Sequence, residues 1–207
     1  RLAHALARLV DGKNRGASAS TSLRIRTETP SKPSLHVAFD QAQPLLKGNA
    51  KLAPLALLHS GQAALQLQKA SEAITYLSQI PTSFADSPYL AEAHFELGRA
   101  AEMLKKSEDA SKHYEIAAEK SRGEIGARAR FMLGELQFGR KSYDEAVKHF
   151  QRVMFGFGGD QASEPVKVWQ AQSGYEAARC SEIQIDSATD AEKKAKLIAD
   201  SKRFYQY

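Results

Sequence analysis

The stretch Ala91-Glu92-Ala93-His94-Phe95-Glu96-Leu97-Gly98, followed by the small residue Ala110 and the large residue Tyr114, decides how the whole chain is read. Its pattern returns as Ala127-Arg128-Ala129-Arg130-Phe131-Met132-Leu133-Gly134 with Ala146 and Phe150. It appears more sparsely as Leu57-x-x-x-Gly61 with Ala73 and Leu77. In each copy the alanine follows the glycine by 12 residues and the large residue follows the alanine by four, while successive glycines stand 37 and then 36 apart. Small residues on two helices let their backbones approach closely, and a larger residue one turn on fills the space beside them. One such helix pair cannot bury its own apolar face, so the copies must stack.

Ala91 to Gly98 and Ala127 to Gly134 resemble the first helix of a tetratricopeptide repeat, and Tyr143-Asp144-Glu145-Ala146-Val147-Lys148-His149-Phe150 resembles the second. The resemblance covers residues 51 to 207. It departs from the family at the fourth repeat position, which is Leu57, His94 and Arg130. The repeat-end proline is displaced to Pro81 or replaced by Gly123 and Gly126. It implies an all-α, right-handed α-α superhelix of about 3.5 to 4 helix-turn-helix repeats. The alanine-rich first helices and the spacing of 36 to 44 residues resemble bacterial scaffold members, periplasmic or envelope-anchored, that help assemble envelope complexes.

Working outward, clear repeats run over residues 51–84, 85–122 and 123–157. Ser87-Pro88 reads as a helix cap and first helical position, and Ser142-x-x-Glu145 as a capping box. Ser107 with Glu108 and Asp109 after it puts the negative charge of those two acids where a helix start favours it. The register breaks at Phe155-Gly156-Phe157-Gly158-Gly159-Asp160, and an irregular fourth repeat follows over 166–207. There Ala171 takes the first position and Ala178 replaces the glycine, 44 residues on. An expanded turn is expected over Asp186 to Asp190, with a second helix from Ala191. Upstream, residues 34–50 read as a degenerate capping helix broken by Pro44 and closed by Lys47-Gly48-Asn49. Residues 1–33 read as a basic arm and linker. Within the arm, Leu2, Leu6 and Leu9 share a helical face that could end an upstream repeat. A chain that starts at Arg1 and ends at Tyr207 inside a helical pattern reads as part of something longer, so the expectation leaves an export signal open.

The chain has 207 residues and a net charge of +5. Residues 1–33 carry seven Lys or Arg against Asp11 and Glu28, and the remaining 22 basic and 22 acidic residues cancel. The basic character therefore belongs to the arm. It could attract nucleic acid or an anionic surface, but it has no aromatic residue to stack on bases. The single cysteine, Cys180, aligns with Ala100 and Leu136 on an inward row and reads as a buried, inert thiol. His113 and His149 fall at equivalent positions and read as surface histidines, with no third metal ligand evident. Gly156-x-Gly158-Gly159 follows a helix and reads as a flexible connector. No catalytic, cofactor or metal motif is present in the sequence, so the expectation is a non-enzymatic chain without a cofactor.

What remains is a surface. The resemblance implies that first helices line a concave groove through repeat positions two, five, nine and twelve. The fifth positions are Leu58, Phe95, Phe131 and Tyr175. The ninth are Gln62, Arg99, Glu135 and Arg179, and the twelfth are Leu65, Glu102, Phe138 and Glu182. An aromatic row flanked by alternating charges suits a protein or peptide partner that buries a few apolar anchors and pairs its charges at the edge. The same aromatic residues also suit packing against the next repeat. The lysines and asparagines with which some family members grip a terminal carboxylate are absent from the fifth and ninth positions, so a free carboxylate is not the expected ligand. Two other roles stay open at this point: a positioning module of a larger assembly, and binding of nucleic acid through the arm.

Overall fold

A computed structural model describes residues 52–206, so the arm and the expected capping helix lie outside the described residues. The packing falls into two compact units, Arg1–Tyr89 and Leu90–Tyr207. Among the described residues the regular structure is entirely helical.

In the first unit, α1 (Leu52–Gln66) packs on α2 (Ala70–Leu77) and on the short α3 (Gln79–Ser83). Pro81 explains the break between α2 and α3. Without an N–H it cannot donate to the Leu77 carbonyl, and the helix is interrupted at Ser78. Gly61 lies where a Cβ would come within 2.3 Å of the Leu77 side chain, so the glycine is the socket for that leucine.

The second unit continues with α4 (Leu90–Met103), α5 (Ser107–Lys120), α6 (Glu124–Gly139), α7 (Tyr143–Phe155), a 3-10 turn (Gly159–Gln161), α8 (Glu164–Ser187) and α9 (Ala191–Tyr205). Each helix packs on the next. The first helices α4, α6 and α8 also touch one another along an inner layer. An open furrow of about 710 Å³ among α7, α8 and α9 is lined by charges of both signs such as Asp144, Lys148, Lys193 and Asp200. A Cβ on Gly98 would lie 2.5 Å from the Tyr114 ring, and one on Gly134 would lie 2.5 Å from the Phe150 ring. The expected partnership of glycine, alanine and large residue is thus a ring seated on bare backbone, with Ala110 and Ala146 fully buried alongside. Each buried ring or leucine contributes about 1.5 to 3 kcal/mol of burial.

Where glycine is replaced by Ala178, the space is shared differently. Ala177, Ala178 and Cys180 meet Ala146, Phe150, Met154 and Phe204 in one cluster. A second cluster joins Phe95, Ala110, Tyr114, Ala117, Ala129 and Leu133, so the core runs as a strip between the layers.

Several local expectations need correction. The Ser142 side chain makes no cap hydrogen bond, and Glu145 turns to Lys148 at 2.6 Å instead of reaching back. Helix α4 begins at Leu90, two residues after Pro88, with the Ser87 hydroxyl accepting from the Tyr89 N–H at 3.2 Å. By contrast, the negative charge expected at the start of α5 is in place, with Ser107 opening the helix and Glu108 and Asp109 in its first turn. The fourth repeat does not expand its turn: α8 runs on to Ser187, and Asp190 caps α9 by accepting from the Lys193 N–H at 2.6 Å.

The glycine-rich connector is a built turn. The buried Gln170 amide donates to the carbonyls of Gly156 at 3.2 Å and Gly159 at 3.3 Å, and Phe157 packs on a cluster of Ala127, Val153, Ala162 and Val166. Gly158, at φ 100°, supplies a backbone angle that a side chain would strain.

The turns inside the repeats share one device. Gln68, Lys105 and Lys141 adopt the left-handed conformation at φ 61°, 59° and 61°. Each sits just past a first helix, where its N–H and the next one close a Schellman pair. Lys105 donates to the Glu102 carbonyl at 2.8 Å and Lys106 to that of Ala101 at 2.9 Å. Glycine usually holds that position.

Two predictions follow from this packing. Gly98→Ala and Gly134→Ala should each cost about 1 to 3 kcal/mol in urea denaturation. Gly139→Ala, with open space around its Cβ, should be neutral or stabilising by up to about 1 kcal/mol. Lys105→Gly and Lys141→Gly should raise the urea midpoint. They remove a left-handed cost of about 1 to 2 kcal/mol, partly offset by the roughly 0.5 to 1 kcal/mol entropic cost of glycine.

Candidate functional site

The inner layer of the second unit assembles most of the residues expected in the groove. Phe95 is only 2% exposed, tilted against Tyr114 with ring centroids 5.6 Å apart. Phe131 is half-buried between Phe150, at 5.4 Å, and Trp169, at 5.3 Å. Phe138 lies edge-on to Tyr143 at 5.5 Å, and Tyr175 is 56% exposed. The fifth-position row therefore runs from a core residue to an open one. Leu58, in the first unit, is buried, and Gln62 there lies 3.2 Å from the His59 ring.

The ninth and twelfth positions carry the charges. Arg99 pairs with the buried Glu96 at 2.8 Å, and Glu102 accepts the Tyr114 hydroxyl, which burial and that carboxylate together hold protonated. Arg179 pairs with Glu176 at 3.0 Å while its guanidinium stacks 4.5 Å over Phe138. Burial raises the Glu135 carboxyl above its ordinary range, and Glu176 and Glu102 add to the shift against Arg179. One Glu135 oxygen is buried without a hydrogen-bond partner among the described residues.

Two members of this face were not singled out from sequence. The Arg128 guanidinium lies 4.6 Å over Phe95 and 5.4 Å from Trp169, closing Phe95 off from solvent. Arg128 holds the second position of its repeat, so the periodicity pointed to it. Trp169 precedes the first repeat position of its copy by two residues, and only its being the single tryptophan marked it.

The two histidines expected at the surface, His113 and His149, are instead half-buried. His94 is 8% exposed and its Nδ1 lies 3.1 Å from that of His113, which requires one ring to hold a proton there and the other to lack it. The His149 Nδ1 is buried without a hydrogen-bond partner among the described residues. Burial, then neighbouring positive charge, lowers His94 and His149 to about 4, and burial lowers His113 as well. Their location follows from the repeat, since His113 and His149 occupy the second-helix row that faces His94 and Arg130. Cys180 is fully buried, its thiol pushed up to about 12 by burial and the nearby Glu176 and Glu135. Among the described residues no group of three or more His, Cys, Asp or Glu could hold a metal ion, and no helix is long and apolar enough to cross a membrane.

Paired helices with glycine-seated rings, stacked so that the first helices form one layer, define a helical-repeat protein. Two family descriptions, both of the tetratricopeptide repeat, match the sequence, over residues 95–159 and 55–87. The chain is a tetratricopeptide-repeat protein, of a family that serves in general as protein-interaction scaffolds and not as catalysts. Two solved structures of similar fold are titled "Crystal structure of MamA" and "Crystal structure of MamA protein". The first is 16% identical with a TM-score of 0.56, covering 90% of this chain and 97% of the other. The second is 16% identical with a TM-score of 0.57, covering 84% and 83%. No curated protein matches the sequence.

The histidine geometry gives a pH dependence. Folded-state values below the ordinary 6.5 mean that folding stabilises the neutral rings. Their contribution is complete above about pH 6.5 and is lost as pH falls toward about 4. Chemical denaturation across that window should show a loss on the order of 1 to 2 kcal/mol per ring after allowing for solvent. His149→Gln should flatten the acid limb.

Proposed function

We propose that the inner face of the 90–206 unit docks an extended or helical segment of a partner protein, and that the chain acts as an adaptor through it. The observation that supports this reading is an open row of rings among charges: Phe131, Phe138 and Tyr175, with Arg99, Glu102, Glu135 and Arg179 beside them. Rings partly covered by their own fold keep area to bury against a partner while their geometry is already fixed, which lowers the ordering cost of docking. Phe95 supports the face from beneath, so truncating it would test folding and not docking. A narrower setting, the assembly of bacterial cell-envelope complexes, rests on the alanine-rich first helices and irregular repeat spacing. An export signal in the full reading frame would agree with it, and a reading frame without one would remove it.

The test is affinity capture from the source-cell lysate, read by mass spectrometry, with three baits: wild type, a Tyr175→Ala/Arg179→Glu variant, and an outer-layer Lys148→Glu/Lys193→Glu variant. A partner retained by the outer-layer variant and reduced at least about tenfold by the inner-face variant is the expected result. Equal loss in both, or loss only in the outer-layer variant, would move the interaction away from this face.

A further inference from the structure

Two arginines of the inner face lie over aromatic rings, and one of them also meets a carboxylate. Arg179 lies over Phe138, its guanidinium carbon 4.5 Å from the ring centroid, with the Glu176 carboxylate 3.0 Å from its Nη1. Arg128 lies on Phe95 and beside Trp169. The negative face of an aromatic ring and a carboxylate at its edge both favour a cation, and a stacked guanidinium still has edge donors to spend on the carboxylate.

At the α8–α9 end of the same face the ring and carboxylate recur with no cation from the described residues. Tyr175 and Tyr205 are 56% and 49% exposed, edge-on with centroids 6.0 Å apart. The Tyr205 hydroxyl donates to one Glu182 oxygen at 3.1 Å and the Ser201 hydroxyl to the other at 3.3 Å. These bonds orient Glu182 and leave acceptor capacity on it, since a carboxylate offers about four lone-pair sites. Among the described residues no Lys or Arg pairs with Glu182 or stacks on either tyrosine. The charge of the wider face points the same way. With Arg99 given to Glu96 and Arg179 to Glu176, none of Glu102, Glu135 and Glu182 forms an ion pair among the described residues, and only the field of Arg179 reaches Glu135.

We infer that the corner formed by Tyr175, Tyr205 and Glu182 receives the cationic side chain of an arginine or lysine carried by the docked segment, a pairing that rests on the inner face being the docking surface. The partner segment is accordingly basic, with the cation at one end and apolar anchors toward Phe138 and Phe131.

The experiment pans a displayed random library of peptides about 12 residues long against the full chain, the Glu182→Gln variant and the Tyr175→Ala variant. Arg and Lys should be enriched at least about twofold over the input library with wild type and should return to input frequency with both variants. A selected peptide is then remade with its enriched cation replaced by citrulline or norleucine. Its affinity should fall about fivefold to tenfold on wild type and stay level on Glu182→Gln, whose fold is checked by circular dichroism. Capture of neutral or acidic peptides through Phe138 and Phe131, without cation enrichment, would overturn the corner and keep the docking face. Cation enrichment that survives both variants would place the cation elsewhere and overturn the corner too. Failure of wild type to capture any peptide would overturn the docking face and the corner together.

Discussion

The seating of one large side chain on the bare backbone of the preceding helix is the contact on which the rest of the structure depends. Leu77 on Gly61, Tyr114 on Gly98 and Phe150 on Gly134 leave less than a carbon's width for anything added at the glycine. That contact fixes how closely each helix pair approaches, and therefore where the next first helix can lie. In the second unit it sets the α4–α5 and α6–α7 pairs, whose first helices touch along one layer that α8 continues. An interior packed to crystal-like density transmits such a constraint without slack.

The repeat was legible because this contact costs two residue types at a fixed interval. Three copies of glycine, alanine and a large residue can be counted without any other knowledge, and all three do in space what the spacing implied. The helix ends were less legible. Ser142 and Glu145 match a capping box in letters, yet Glu145 has a lysine three residues on and pairs there. The left-handed residues that end the first helices are Gln68, Lys105 and Lys141, where the usual signal would be glycine. A reader of the sequence has nothing to mark those turns, because the packed helices on either side hold them and not local preference.

Misreading of the histidines has a similar origin. His94 and Arg130 stand where the family places an apolar residue, and the second-helix row opposite them is Tyr76, His113 and His149. Composition alone treats histidine as a surface residue, but a row inherited from the repeat keeps its burial whatever residue fills it. The polar side chains must then be neutral, paired or covered. His94 and His113 meet that demand by sharing a proton position, while His149 meets it by losing its charge to burial and to Arg130 and Arg152.

The inner face shows what such inheritance means for binding. Burial of apolar area is worth about 25 cal/mol per Å², but only for area that the partner newly removes from water. Phe95, already covered by Tyr114 and Arg128, has almost none to offer, and Tyr175 has the most. The fifth-position row is thus graded in exposure: Phe95 belongs to the core, Phe131 is half-buried and Tyr175 is open. Electrostatics follows the same gradient. Arg99 and Arg179 are each taken up by a carboxylate of their own helix, while Glu102, Glu135 and Glu182 form no ion pair among the described residues. If a partner docks on the inner face, as proposed, the most new area it can cover lies toward the α8–α9 end, where a ring and an oriented carboxylate still have surface to give.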